Sequence, residues 1–326
     1  MQVDASTPAK NYYRVMLRSG SAHEEECFTG NFIGTDDEIE QDLADRLHQR
    51  WQDFHREFIP IYLRAVPGKT RIGAGLTMGA LWTVSKGISR GDVILCPDGS
   101  GNYRVGEVTG NYYYVRDGTL MHRRPVRWFE RIILRSEMSP ALRGSVSTPV
   151  TAVWLNKHTA EIDWLHRDAP SSESLGSAVA ASGETEVVQS IEDPAAFALE
   201  KHLEDFLIRN WAKTELGREY DIFEDEGQFF GQQYLTDTGP IDILAVSKNK
   251  RRLLVVELKK GRASDAVVGQ VLRSMGYVKE ELAEDGQEVR WVIIAREDET
   301  RLRQALSVTP AIDLYRYRVD FALHRA

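Results

Sequence analysis

The sequence predicts an α/β chain of two domains: a small β-barrel with helices, then a mixed sheet flanked by helices. Three observations carry this reading. Short β-type segments separated by Gly and Asn turns crowd residues 91–155, the texture of a small barrel. After residue 193 the order runs helix, strands, helix, strand, which suits a central sheet with helices on its faces. Between them, residues 168–192 (DAPSSESLGSAVAASGETEVVQSIE) are rich in Ser, Ala, Gly and Glu and poor in aromatics, the composition of a flexible linker. The expected division is an N-terminal domain at 1–167, the linker, and a C-terminal domain at 193–326.

A chain of 326 residues is long enough for two cores, and 42% hydrophobic with 28% charged residues is ordinary for a globular protein. No apolar run approaches the roughly 18 residues needed to span a bilayer. The N-terminus MQVDASTPAK lacks a basic-then-apolar signal layout, so a cytoplasmic protein with no membrane partner is expected. Cys27 and Cys96 match no metal-ligand spacing and read as buried thiols. The net charge of −8 argues against broad phosphate binding, but charge is unevenly spread. Residues 121–143 hold Arg123, Arg124, Arg127, Arg131, Arg135 and Arg143 against Glu130 and Glu137, a stretch compatible with nucleic acid.

Along the N-terminal half, residues 11–18 alternate as a strand and 28–33 read as another. Thr35, Asp36, Asp37 and Glu38 resemble a capped, acidic helix start, and Leu43, Leu47, Trp51 and Phe54 continue at helical spacing to about Phe58, with Pro60 as the stop. A short helix is expected over 74–83. Strands follow at 92–95, 103–108, 112–115, 126–134 and 150–155. Within these, GDVILCPDGSGNYRVGEVTGNYYYV and HRRPVRWF resemble the PUA/EVE-like β-barrel modules of some restriction-type proteins, over about residues 11–160. That resemblance implies nucleic-acid recognition, in some members of a modified base held in an aromatic pocket. Stacking is worth roughly 1–3 kcal/mol per base. Trp82, Tyr112, Tyr114 and Trp128 are the candidate aromatics, with ordinary core packing as the alternative. Arg123, Arg124 and Arg127 are candidate phosphate contacts, with a solvated strand face as the alternative.

In the C-terminal half, Asp193-Pro194 opens a helix, cap then proline. At about 100° per residue, Leu203, Phe206, Leu207 and Trp211 share an apolar arc that also takes in Glu200 and Glu204. Carboxylates on a buried arc call for a partner, and a metal site supplies one. Leu253 to Val256 reads as a buried strand that ends in Glu257 and Lys259, which alternation puts on one face with Leu258 on the other. A second apolar strand, Ile241 to Val246, carries Asp242 at its start. Two carboxylates and a lysine at the ends of neighbouring core strands suit Mg²⁺-assisted phosphodiester hydrolysis. A helix from Ser264 to about Leu282, a strand at 289–295, a helix at 298–307 and a strand at 314–323 complete the reading.

The runs LEDFL, GPIDILAV, LLVVELKKG and GQVLRSMGYV, in that order, resemble the PD-(D/E)XK nuclease superfamily, and within it the C-terminal domain of the NucS-like endonucleases. The resemblance covers about residues 195–324. It implies Asp242 and Glu257 as ligands of Mg²⁺ (or Mn²⁺), joined by the Leu258 carbonyl, with Lys259 as the active-site lysine. It also implies site roles for Glu204 and Gln270. Ser274 departs from the pattern, since related helices often carry an aromatic there. The leading expectation is a Mg²⁺-dependent DNA endonuclease whose barrel selects foreign or phage DNA with modified bases, a modification-dependent restriction enzyme working as a homodimer. Two alternatives stand beside it. One is a NucS-like repair nuclease acting on mismatched or branched DNA, against which the N-terminal half does not look like that family's own. The other is an inactive DNA-binding protein on a nuclease scaffold.

Overall fold

The computed structural model describes residues 10–17, 23–36, 38–166, 203–225, 228–236 and 239–318. The expected linker at 168–192, Glu200 and the end of the expected strand at 314–323 lie outside the described residues. In chain order the first elements are β1 (Tyr12–Val15), α1 (Glu24–Gly30), β2 (Phe32–Thr35), α2 (Trp51–Ala65) and α3 (Arg71–Trp82). Then come β3 (Val93–Pro97), β4 (Tyr103–Val108), β5 (Tyr113–Tyr114), β6 (His122–Ile133), α4 (Pro140–Val146), β7 (Ala152–Trp154) and α5 (Thr159–His166). The second half holds α6 (203–210), α7 (Glu215–Glu219), β8 (Tyr220–Ile222), β9 (Glu224–Asp225), β10 (Gln228–Phe229), β11 (Gln232–Thr236) and β12 (Gly239–Ser247). It closes with β13 (Arg252–Ala263), α8 (Ala266–Tyr277), β14 (Glu288–Asp298), α9 (Thr300–Leu306) and β15 (Ile312–Arg316). The chain is α/β, and it divides into two compact units, one within residues 1–49 and 80–192 and the other within 50–79 and 193–326.

The first unit is built on a seven-stranded sheet in the order β2-β6-β4-β3-β1-β7, with β5 added to β6. Alternation along β3 sends Ile94 and Cys96 into one core and Val93 and Leu95 into another, so both faces are buried. Leu142 of α4 and Ile162 and Leu165 of α5 cover the second face. Two local expectations are corrected here. Residues 24–30, Phe28 included, form α1 instead of a strand, with three glutamates in the first turn complementing the helix dipole. The helix expected from 36 to 58 begins only at Trp51, because tertiary bonds occupy the backbone before it. His122 Nε2 donates to the Ile39 carbonyl at 2.7 Å, and the Leu43 amide donates to the Tyr112 hydroxyl at 3.1 Å.

The second unit centres on a six-stranded sheet, β11-β12-β13-β14-β15 with β8 beside β12. β11, β12 and β13 run antiparallel, whereas β13, β14 and β15 run parallel. Leu203, Leu207 and Ile208 of α6 pack on a core made by Ile243, Ala245, Leu254, Val256, Leu258, Val292 and Ile294. Phe206, expected on the same arc, is exposed. On the other face α8 lies across β13 and β14.

Helix α2 and most of α3 belong to this second unit, although their sequence lies inside the N-terminal half. Trp51 Nε1 donates to the Tyr277 hydroxyl at 3.3 Å, the Tyr234 hydroxyl donates to the Ile72 carbonyl at 3.1 Å, and Lys69 pairs with Asp225 at 2.6 Å. A Cβ on Gly75 would come within 2.7 Å of both Leu282 and the Tyr234 hydroxyl, so this contact needs a glycine. Pro60, expected to end the helix, sits inside α2. An interior proline costs about 3 kcal/mol, but α2 buries Trp51, Phe54, His55, Phe58, Ile59 and Tyr62, and each large apolar side chain contributes roughly 1.5–3 kcal/mol. Burial outweighs the broken bond.

Candidate active site

Two neighbouring strands bring the principal residues together. The last paired residues of β12 and β13 at this end are Ile243 and Val256. Asp242 and Glu257 stand one step further along, opposite each other and on the same face. The Leu258 amide donates to Asp242 Oδ2 at 2.7 Å, which ties the two strands where their mutual pairing stops. Against the expectation that they begin and end here, β12 starts earlier, at Gly239, and β13 runs on to Ala263. Glu257 is only 6% exposed, and burying a carboxylate costs several kcal/mol unless donors meet it. Two do. Lys259 Nζ lies 2.7 Å and Gln270 Nε2 3.1 Å from the same oxygen, Oε1. Lys259 reaches it because alternation returns residue 259 to the face of residue 257, and Gln270 because α8 crosses that face. Just beyond Lys259 the β13–β14 register slips before Arg262, a bulge of the kind that terminates or re-aims a strand beside a site.

A second layer comes from β11 and α6. Glu204 is 4% exposed, and its two oxygens accept from Gln232 Nε2 at 2.5 Å and Gln233 Nε2 at 2.7 Å. The Gln233 carboxamide also donates to Asp242 Oδ1 at 3.1 Å, so it links Glu204 to Asp242. Consecutive strand residues normally face opposite ways. Gln233 has φ +52°, a left-handed backbone that breaks the alternation and lets both glutamines reach Glu204. A non-glycine residue held there stores roughly 1–3 kcal/mol of strain. Neither glutamine stood out in the sequence, where no periodicity marks a left-handed residue inside a strand. Ser274, the departure from the family pattern, is buried and donates back to the Gln270 carbonyl at 3.3 Å.

The candidate donors are hard oxygens: the Asp242 and Glu257 carboxylates and, as the resemblance implies, the Leu258 carbonyl. Glu257 Oε2 accepts no hydrogen bond from the described residues. Among the described residues, no group of three or more His, Cys, Asp or Glu could hold a metal ion. Two carboxylates fit Mg²⁺, which keeps several waters and is bound by one or two protein carboxylates; they do not fit an all-protein cage. The Gln233 amide stands between Glu204 and Asp242.

The N-terminal candidates are placed differently. Arg124 is 6% exposed and donates to the Val84 carbonyl at 2.9 Å and the Ser85 carbonyl at 2.7 Å; burial pushes its pKa down to about 10. Arg123 donates to the Leu120 carbonyl at 2.9 Å, pairs with Glu26 at 3.3 Å and lies over the Phe32 ring at 3.8 Å. Both guanidinium groups thus hold the fold together. Arg127 is exposed and pairs with Glu107 at 3.3 Å, and Arg131 pairs with Glu137 at 3.3 Å, so the basic stretch is largely matched by acids and carbonyls. Tyr112 and Tyr114 flank the buried His122, whose Nδ1 accepts from the Tyr112 hydroxyl at 3.0 Å. Trp128 packs edge-on to Phe28 at 4.9 Å, and Trp82 Nε1 donates to the His48 carbonyl at 3.1 Å. A cavity of about 490 Å³ in this unit is lined by Phe28, Arg104, Glu24, Glu25 and Asp98 among others, and by none of the four candidate aromatics.

A mixed sheet with Asp242 on one strand and Glu257 and Lys259 on its neighbour, crossed by a helix that brings Gln270, is the arrangement that the PD-(D/E)XK resemblance implies. The family comparisons narrow this: residues 200–308 match the model described as the endonuclease NucS C-terminal domain. Residues 13–147 match a different model, described as a domain of unknown function (DUF8426), which leaves the PUA/EVE-like reading of this half without support from the family models. No curated relative matches the chain. Among solved structures, EndoMS bound to double-stranded DNA is similar at 12% identity and TM-score 0.31, covering 68% of this chain and 63% of that one. A repair endonuclease from Pyrococcus abyssi is similar at 14% identity and TM-score 0.29, covering 67% and 62%. This chain therefore spans under two thirds of the length of either, a likeness too distant to assign a function. Among the described residues, no helix is long and apolar enough to cross a membrane.

Proposed function

We propose that this chain is a divalent-metal-dependent DNA endonuclease that hydrolyses phosphodiester bonds, with mismatched or branched duplexes as its substrates. The observation that carries the reading is the convergence of Asp242, Glu257, Lys259 and Gln270 where the pairing of β12 with β13 stops, inside the segment that matches the NucS C-terminal domain. Mg²⁺, or Mn²⁺ in its place, would be held by Asp242, Glu257 and the Leu258 carbonyl, and it would polarise the phosphate and lower the pKa of a bound water. Gln270 fixes the Glu257 carboxylate. Lys259, half-buried at 2.7 Å from Glu257, is placed to orient the attacking water and to offset charge gathering on the phosphate oxygens.

Modification-dependent restriction is the second reading. It rests on the aromatic and basic residues of the first unit, and Arg123, Arg124 and Trp128 are occupied within that unit's own core. A cleavage panel decides between the two: unmodified, methylated, hydroxymethylated and mismatched duplexes with Mg²⁺. Preference for the mismatched duplex is expected. Cutting confined to modified DNA would move the assignment to restriction. Severing both strands with one site per chain calls for a homodimer, and light scattering of the DNA-bound protein would overturn that if it gave one chain per duplex.

A further inference from the structure

Glu204, Gln232 and Gln233 are polar residues of the site that the proposed chemistry leaves unused. We propose that Gln233 is a positioning residue that sets the divalent-metal affinity of the Asp242–Glu257 site, an inference that rests on the metal-nuclease reading. Its Nε2 carries two hydrogens and meets two carboxylates, Glu204 Oε2 at 2.7 Å and Asp242 Oδ1 at 3.1 Å. The other Asp242 oxygen accepts from the Leu258 amide at 2.7 Å, so the plane of this carboxylate is set before any ion arrives. A carboxamide separates two anions without cancelling their charge, which keeps the site attractive to a cation. A lysine or arginine there would hold the acids equally well and neutralise them.

The backbone agrees with this role. Gln232 pairs with Ile243 and Tyr234 with Ile241, so the register is intact on both sides of Gln233. The left-handed φ of +52° is therefore confined to the one residue that faces Asp242. Strained non-glycine residues persist where their surroundings over-determine them, and such places cluster at functional sites. Gln232 completes the arrangement by donating to the other Glu204 oxygen at 2.5 Å and reaching Asp205 at 3.5 Å.

The test is Mn²⁺ binding by electron paramagnetic resonance on the full chain, with Tm measured alongside. Gln233→Gly relieves the left-handed backbone and deletes the carboxamide; Gln233→Asn tolerates that backbone and shortens the reach. Both variants are expected to bind Mn²⁺ about 10–100-fold more weakly, the usual effect of losing an outer-shell partner. The glycine variant is expected to keep or raise its Tm. Mn²⁺ affinity equal to wild type in both variants overturns the proposal, as does a weakening matched in both by a fall in Tm, which marks a merely structural residue. A wild-type chain that binds no Mn²⁺ overturns the metal reading itself, an outcome distinct from either.

Discussion

His55 shows how one buried side chain gives the second unit a dependence on pH. It lies on α2, fully buried, with Nδ1 3.3 Å from the Tyr277 hydroxyl and Nε2 without a hydrogen-bond partner among the described residues. Burial pushes its pKa down from 6.5 to about 3. The folded chain therefore keeps His55 neutral while the unfolded chain takes up a proton near pH 6.5. Its contribution is intact above that pH and is lost as the pH falls towards 3, at about 1.4 kcal/mol per pH unit. Urea midpoints at pH 7 and pH 4.5 measure this. Roughly 2–3 kcal/mol of the acid loss is expected to disappear in His55→Leu, and an unchanged acid limb would contradict the assignment. His158 in the first unit behaves alike, with burial, then Lys157, lowering its pKa to about 4. Both cysteines are buried and free, as their lack of ligand spacing suggested, and burial pushes Cys27 up to about 12.

Helices α2 and α3 mark the limit of what the sequence shows about elements. Trp51, Phe54 and Phe58 at 3–4 spacing announce a buried face, but nothing in the pattern says what buries it. Composition then assigns the helices to the half in which they occur, while Tyr234, Tyr277 and Leu282 in the other half receive them. The acids of the candidate site stood out for the opposite reason, since Glu257 and Lys259 interrupt an apolar run so abruptly that a buried charge needs explaining, although β13 itself runs on to Ala263. Gln232 and Gln233 were not legible, because their meaning lies in a backbone angle. A deletion follows from the helices. A fragment of residues 193–326 lacks 50–79 and exposes the surface that α2 and α3 cover, so it is expected to be largely unfolded by circular dichroism and Tm. A cooperative melt close to that of the full chain would show that the helices are dispensable. Inactivity of such a fragment accordingly says nothing about substrate selection by the first unit.

At the scale of the whole molecule, the two units answer separate questions. The second carries the proposed site for cutting phosphodiesters, and residues 200–308, which match the model described as the endonuclease NucS C-terminal domain, contain every member of it. The first carries a different family match, and its arginines serve mostly its own fold. The DNA selection proposed for this unit would therefore fall to exposed surface, Arg127 included, more than to the residues that looked most suited to it. Asp242, Glu257 and Lys259 are proposed to form one metal-dependent catalytic centre. The most direct measurement is cleavage of a mismatched duplex by the full chain with Mg²⁺ and with EDTA, for wild type, Asp242→Ala and Lys259→Ala at matched Tm. Cleavage that needs Mg²⁺ and falls at least about 100-fold in both variants is the expected result, the scale of removing one preorganised charge from a catalytic site. Mg²⁺-dependent cleavage that persists unchanged in either variant would contradict it.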